Sequence, residues 1–213
     1  CTGVNHADWT ADGNTFVASC EFNGTIIQVD TAKMKVINQQ FIPTKYAKHS
    51  TSHHAGLPNM GPQPQDVKIS PDGKTFYIAD MMSDGVWVMP SDKFGTYSFV
   101  HTGKAAHGMY VTRDSKTLLI TNRGEGSVSV LRFSDNKIIA KWKIPGGGSP
   151  DMGGISADGK QFWVSGRYNN VVYVFDIEHG KYLTQIKVGK EPHGLSIYPQ
   201  PGRYSLGHTG VFR

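Results

Sequence analysis

The sequence predicts an all-β chain in which a four-stranded antiparallel unit recurs, and two observations carry that prediction. The first is the stretch from Gly108 to Ile144, GMYVTRDSKTLLITNRGEGSVSVLRFSDNKIIAKWKI. It alternates apolar and polar residues in four short runs separated by RDSK, RGEG and SDNK. Period-two alternation between polar turns is the pattern of half-buried strands joined as an up-and-down sheet. The second is that its first turn recurs as ADGN from Ala11, PDGK from Pro71 and ADGK from Ala157, each followed by a β-rich run. The turn aspartates Asp12, Asp72, Asp114 and Asp158 are 60, 42 and 44 residues apart. A period of about 40 to 45 residues with four strands per unit is that of a β-propeller blade.

The elements follow in order from these turns. Blade one covers about residues 5–43, with strands expected at His6–Thr10, Thr15–Glu21, Thr25–Asp30 and Lys35–Ile42, divided by ADGN, FNG and DTAK. The long first interval is explained by an insertion at 44–63, TKYAKHSTSHHAGLPNMGPQ, where alternation lapses; it holds three of the nine histidines. Blades two and three cover 64–103 and 104–146. Blade four, 151–188, has strands expected at Gly153–Ser156, Gln161–Gly166, Val171–Asp176 and Tyr182–Val188. In the remnant, 189–213, a further innermost strand is expected at His193–Tyr198. The 213 residues thus read as one partial propeller domain, about four blades and a remnant, that begins inside a longer protein whose missing blades come from the same parent or from another chain.

Composition excludes some classes. No run of 18 apolar residues is present, so no transmembrane helix is expected. The net charge is +5, but the lysines are spread over turns and strand ends, which does not favour nucleic acid as partner. Of the two cysteines, Cys20 reads as a buried thiol and not as a partner of Cys1, and no CxxCH haem-attachment motif occurs. Trp87, Trp142 and Trp163 read as packing between blades.

Aligning the blades on the turn aspartate gives columns. The first residue of each innermost strand is Asn5, Gln65, His107, Asp151 and His193, all polar, and the adjacent column is His6, Asp66, Gly108, Met152 and Gly194. Innermost strands line a propeller's channel, so the first column is expected at its mouth, where glycines in the second let backbone approach closely. Where the second strand ends and the loop to the third begins stand Glu21, Met81, Arg123 and Arg167. Two arginines there could clamp a carboxylate or phosphate, or could instead bridge blades and stack on Tyr168. The candidate ligand-binding set is therefore Asn5, His6, Gln65, His107, Asp151, His193, Arg123 and Arg167. His107 and His193, with His53 and His54 from the insertion, form the candidate metal set, and His49 and Met60 in the same loop add ligands suited to copper. Close metal-ligand spacing and a Ser-His-Asp constellation are both absent from the sequence.

The unit ISPDGKTFYIADMMSDGVWVM and its echo VTRDSKTLLITNRGEGSVSVL resemble the YVTN-type β-propeller repeat of YncE-like proteins. The resemblance implies a seven-bladed ring, an extracytoplasmic, secreted or surface setting, and kinship with haem d1-type and lactonase-like propellers. It fixes fold better than function. The expected function is a non-enzymatic binding or scaffold module acting through its channel-mouth face on a small anionic ligand or a protein. The alternative is a copper- or anionic-cofactor-dependent redox enzyme, or a lyase- or lactonase-like propeller.

Overall fold

The structure is a computed structural model and describes residues 1–47 and 61–198. They form four four-stranded antiparallel sheets, each ordered as its strands occur in the chain. The strands of blade one are β1 Val4–Trp9, β2 Thr15–Cys20, β3 Thr25–Asp30 and β4 Lys35–Phe41. Blade two has β5 Pro64–Ile69, β6 Thr75–Asp80, β7 Gly85–Pro90 and β8 Ser98–His101. Blade three has β9 Ala106–Val111, β10 Thr117–Asn122, β11 Ser127–Arg132 and β12 Lys137–Lys143. Blade four has β13 Pro150–Ile155, β14 Gln161–Gly166, β15 Val171–Asp176 and β16 Tyr182–Lys187. No helix among the described residues is long and apolar enough to cross a membrane.

The chain divides into two compact units, Cys1–His101 with blades one and two, and Thr102–Arg213 with blades three and four. Each buries an apolar core between its two sheets. In the first unit Val17, Ile26, Val67, Phe76, Ile78 and Trp87 pack together; in the second Tyr110, Leu119, Met152, Phe162, Tyr173 and Phe175 do so. Trp87 and Trp142 are buried as expected, whereas Trp163 is half-buried, with its indole N–H donating to Gln161 Oε1.

The innermost strands start earlier than expected, β1 by two residues and β13 by three. The reason is an irregularity that recurs in each blade. Pairing of β1 with β2 shifts between Val4 and Ala7, of β5 with β6 between Pro64 and Val67, and of β13 with β14 between Pro150 and Gly153. The same shift separates the Met109 and Ala106 pairings of β9 with β10. Two residues on the inner strand thus face one on its neighbour, the definition of a β-bulge, and the alternation that marks a strand breaks there. The bulged pairs are Asn5 and His6, Gln65 and Asp66, His107 and Gly108, and Asp151 and Met152. They are the two candidate columns.

Two expectations are corrected. Residues 193–198 form no strand: strand structure needs a ladder partner, and none of the described strands pairs with this segment, although Ile197 packs over Gly154 of β13. Cys20 is not a free thiol but is disulfide-bonded to Cys1, the two Cα atoms 5.2 Å apart. The chain enters β1 beside the end of β2, where Val4 pairs with Cys20, so pairing of the strands brings the cysteines together.

Candidate functional site

The bulges place the candidate residues, and in blades one, three and four a hydroxyl on the facing strand fixes the bulge, whereas Ala79 faces the bulge of blade two. Opposite the bulge in blade three lies Thr121, whose Oγ1 accepts the Gly108 N–H at 2.8 Å and donates to the Asp151 carbonyl of blade four at 2.9 Å. In blade four Ser165 Oγ accepts the Met152 N–H at 3.2 Å and donates to the His193 carbonyl at 2.7 Å. In blade one Ser19 Oγ accepts the His6 N–H at 3.1 Å and donates to the Gln65 carbonyl at 2.6 Å. One buried hydroxyl thus ties a bulge to the backbone of the first-column residue of the following segment, holding Gln65, Asp151 and His193 in place. Gly108 is required for the approach: a Cβ there would lie 2.8 Å from the Asp151 carbonyl oxygen.

In the second unit the column residues converge on Asp151, which is fully buried. Its Oδ1 lies 2.8 Å from His107 Nδ1 and 3.9 Å from His193 Nε2, and the two imidazole rings are 6.0 Å apart and nearly perpendicular. Its Oδ2 lies 3.4 Å from NH1 of Arg123 and 3.6 Å from NH1 of Arg167. Burial by itself pushes the Asp151 carboxyl up, but His107, Arg123 and His193 outweigh it and hold the group well below the usual carboxylate range. Both guanidinium groups also stand over the ring of Tyr168, at 5.8 and 5.9 Å from its centroid. The arginines therefore both reach Asp151 and both stand over Tyr168, the arrangement in which they bridge blades and stack.

The polar accounting here is incomplete. His107 Nδ1, Asp151 Oδ1 and Arg167 Nε are buried atoms that make no hydrogen bond. His107 and Asp151 are close enough to interact as charges, but the ring nitrogen and the carboxylate oxygen do not meet hydrogen-bond geometry. Unsatisfied buried polar atoms are uncommon, and three of them lie together here.

The first unit gathers its own part of the columns into a different arrangement. Asn5 Nδ2 donates to Glu21 Oε2 at 3.0 Å and to Gln65 Oε1 at 3.1 Å, while Gln65 Nε2 donates to the Gln63 carbonyl. His6 Nδ1 stands 3.6 Å from Asp66 Oδ1, and Lys68 Nζ lies 2.9 Å from the same oxygen. Amide side chains and a Glu take the places held by His, Asp and Arg in the second unit, so the two units are not chemically equivalent.

Residues 57–202 match the YNCE-like β-propeller family. The chain belongs to that family. Its fold also recurs in solved structures. These include Kuenenia stuttgartiensis hydrazine synthase (TM-score 0.71, 21% identity, covering 90% of this chain and 50% of that one). They also include the periplasmic gluconolactonase PpgL of Pseudomonas aeruginosa (0.73, 17%, 92% and 60%) and virginiamycin B lyase from Staphylococcus aureus (0.68, 17%, 91% and 59%). At these identities the likeness is one of fold. The chain spans between half and three-fifths of the length of these structures. Among curated proteins none matches it.

Of the candidate residues of this YNCE-like propeller, His107, Asp151, His193, Arg123 and Arg167 come together in one place, and Asn5 and Gln65 in another, with His6 beside Asp66. His53 and His54, with His49 and Met60, lie outside the described residues. The sequence reading placed Asp151 among the ligand-binding residues but not among metal ligands, and nothing in a single polar position of a column distinguishes the two roles. The hydroxyl row Ser19, Thr121 and Ser165 was missed, although its small polar residues at one position of successive second strands are visible once the blades are aligned.

Proposed function

We propose that this YNCE-like propeller is a non-enzymatic binding module working outside the cytoplasm, and that blades three and four capture a small carboxylate or phosphate anion. The observation that carries the reading is Arg167. Its Nε has no hydrogen-bond partner, its NH1 shares one oxygen of Asp151 with Arg123, and its side chain remains 30% exposed. The unused Nε of Arg167 leaves donor capacity for an incoming anion, and paired arginines suit the geometry of carboxylate and phosphate oxygens. Tyr168, 56% exposed and beneath both guanidiniums, limits their freedom and so reduces the ordering needed on binding. The Cys1–Cys20 disulfide supports an oxidising compartment.

Calorimetric titration of the purified chain with inorganic phosphate and with succinate tests the reading. Arg123→Ala and Arg167→Ala are each expected to weaken binding by about 1 to 3 kcal/mol, the range for a charge-assisted hydrogen bond, and added salt should weaken it further. If both variants bind either anion as tightly as the parent, or the parent binds neither, the reading fails.

A further inference from the structure

We infer that His107 Nδ1, Asp151 Oδ1 and His193 Nε2 form a binding site for a divalent first-row transition metal ion. These three ligand atoms all lie within 4.8 Å of one another. His107 Nδ1 and Asp151 Oδ1 are 2.8 Å apart, both buried, and neither makes a hydrogen bond. For an ion about 2.0 to 2.2 Å from each donor, that separation corresponds to roughly a right angle at the metal, as in neighbouring positions of an octahedral or five-coordinate site. A nitrogen and an oxygen held this close can both face a single cation.

The third donor needs a small adjustment. His193 Nε2 is 3.9 Å from Asp151 Oδ1, a span one ion at those bond lengths bridges only at a wide angle, and closing by roughly an ångström brings that angle near ninety degrees. It is able to do so, because His193 is half-exposed and outside any strand, while Ser165 anchors its carbonyl. The carboxylate is already oriented by its other oxygen: Arg123 NH1 donates to Asp151 Oδ2 at 3.4 Å, with Arg167 beside it at 3.6 Å. Support of a ligating carboxylate through its remote oxygen is how metal sites commonly fix their ligands. Two imidazoles and one carboxylate, with coordination positions left over, suit zinc, iron(II), cobalt(II) or nickel(II), and leave room for water or another ligand.

The inference is independent of the anion reading, and its test is run without carboxylate or phosphate in the buffer. The purified chain, stripped with chelator, is titrated with Zn²⁺ by calorimetry and with Co²⁺ by visible absorption. We expect one equivalent of metal, with cobalt bands showing nitrogen and oxygen ligation. His193→Ala should weaken binding at least tenfold, and the double variant His107→Ala/His193→Ala should abolish the cobalt spectrum. His193 is half-exposed, so its variant is expected to fold, and circular dichroism checks this. The inference is overturned if the chelator-stripped parent binds no metal. It is overturned equally if the folded double variant keeps full affinity while a His53→Ala/His54→Ala variant loses it, which would assign the metal to the other histidines.

Discussion

Asp151 is a buried carboxylate with four cationic or imidazole neighbours from three segments of the chain, Arg123 and His107 of blade three, Arg167 of blade four and His193 beyond it. A charge in that position stabilises only while its partners remain, because removing one side of a buried pair strands the other. Asp151→Asn is therefore expected to destabilise the protein by about 3 to 5 kcal/mol in denaturant unfolding. Arg167→Ala, at a partly exposed guanidinium, should change stability by less than about 1 kcal/mol. A change below 1 kcal/mol for Asp151→Asn would contradict the burial and pairing described for it. The two variants separate roles: Arg167 is expected to matter for binding and little for folding, and Asp151 for both.

The repeated element has two hydrogen-bond devices. The first is the hydroxyl opposite the bulge in blades one, three and four. Thr121→Val keeps shape but leaves the buried Gly108 N–H and Asp151 carbonyl each without Thr121 as a partner. Loss of such a partner costs about 1 to 3 kcal/mol, measurable by urea unfolding; a neutral substitution would show that the hydroxyl does not fix the strand. The second is the turn between the first two strands of each blade. Thr10, Ser70, Thr112 and Ser156 donate to Asp12, Asp72, Asp114 and Asp158. Those side-chain bonds, first among their causes, hold Asp12, Asp72 and Asp158 below the ordinary carboxylate range. A group whose pKa is lower folded than unfolded contributes stability at pH above its unfolded value of about 3.9, and loses it as pH falls through the lower folded value. Thermal stability should therefore decline as pH is lowered from 5 toward 3. The triple variant with Asn at positions 12, 72 and 158 should start less stable at pH 7 and decline less. Equal slopes for parent and variant would sink the assignment.

These elements also show what a sequence discloses. Strands after the first in each blade are bounded by Gly- and Asp-bearing turns, so Thr25–Asp30, Gln161–Gly166 and Val171–Asp176 were legible to the residue. The starts of the innermost strands were not, because a bulge interrupts alternation at the very residues that build the site. Asn5, Gln65, His107 and Asp151 were found from polarity in a column. Their separation into an amide cluster and a His-Asp-Arg cluster depends on partners such as Glu21 and Arg167, which column position alone does not supply. The pairing of Cys1 with Cys20 depends on β1 starting at Val4 and pairing there with Cys20, a start and register that the expected strand His6–Thr10 did not include.

For the molecule as a whole, membership of the YNCE-like family fixes the fold, and the site is what particularises this chain. The disulfide closes the entry of the chain onto blade one. Cys20→Ser is expected to lower stability by about 2 to 4 kcal/mol under oxidising conditions, and reduction of the parent should have a similar effect; unchanged unfolding on reduction would show that the cross-link contributes nothing. The central claim is that blades three and four hold a ligand at Asp151 through Arg123, Arg167, His107 and His193. A crystal structure of the chain grown with succinate or phosphate tests it most directly. The account predicts an anion within hydrogen-bond distance of the Arg167 guanidinium and beside Tyr168, with Asp151 still bridging Arg123 and His107. Density for the anion only elsewhere on the protein, or Arg167 and His193 turned away from Asp151, would contradict it.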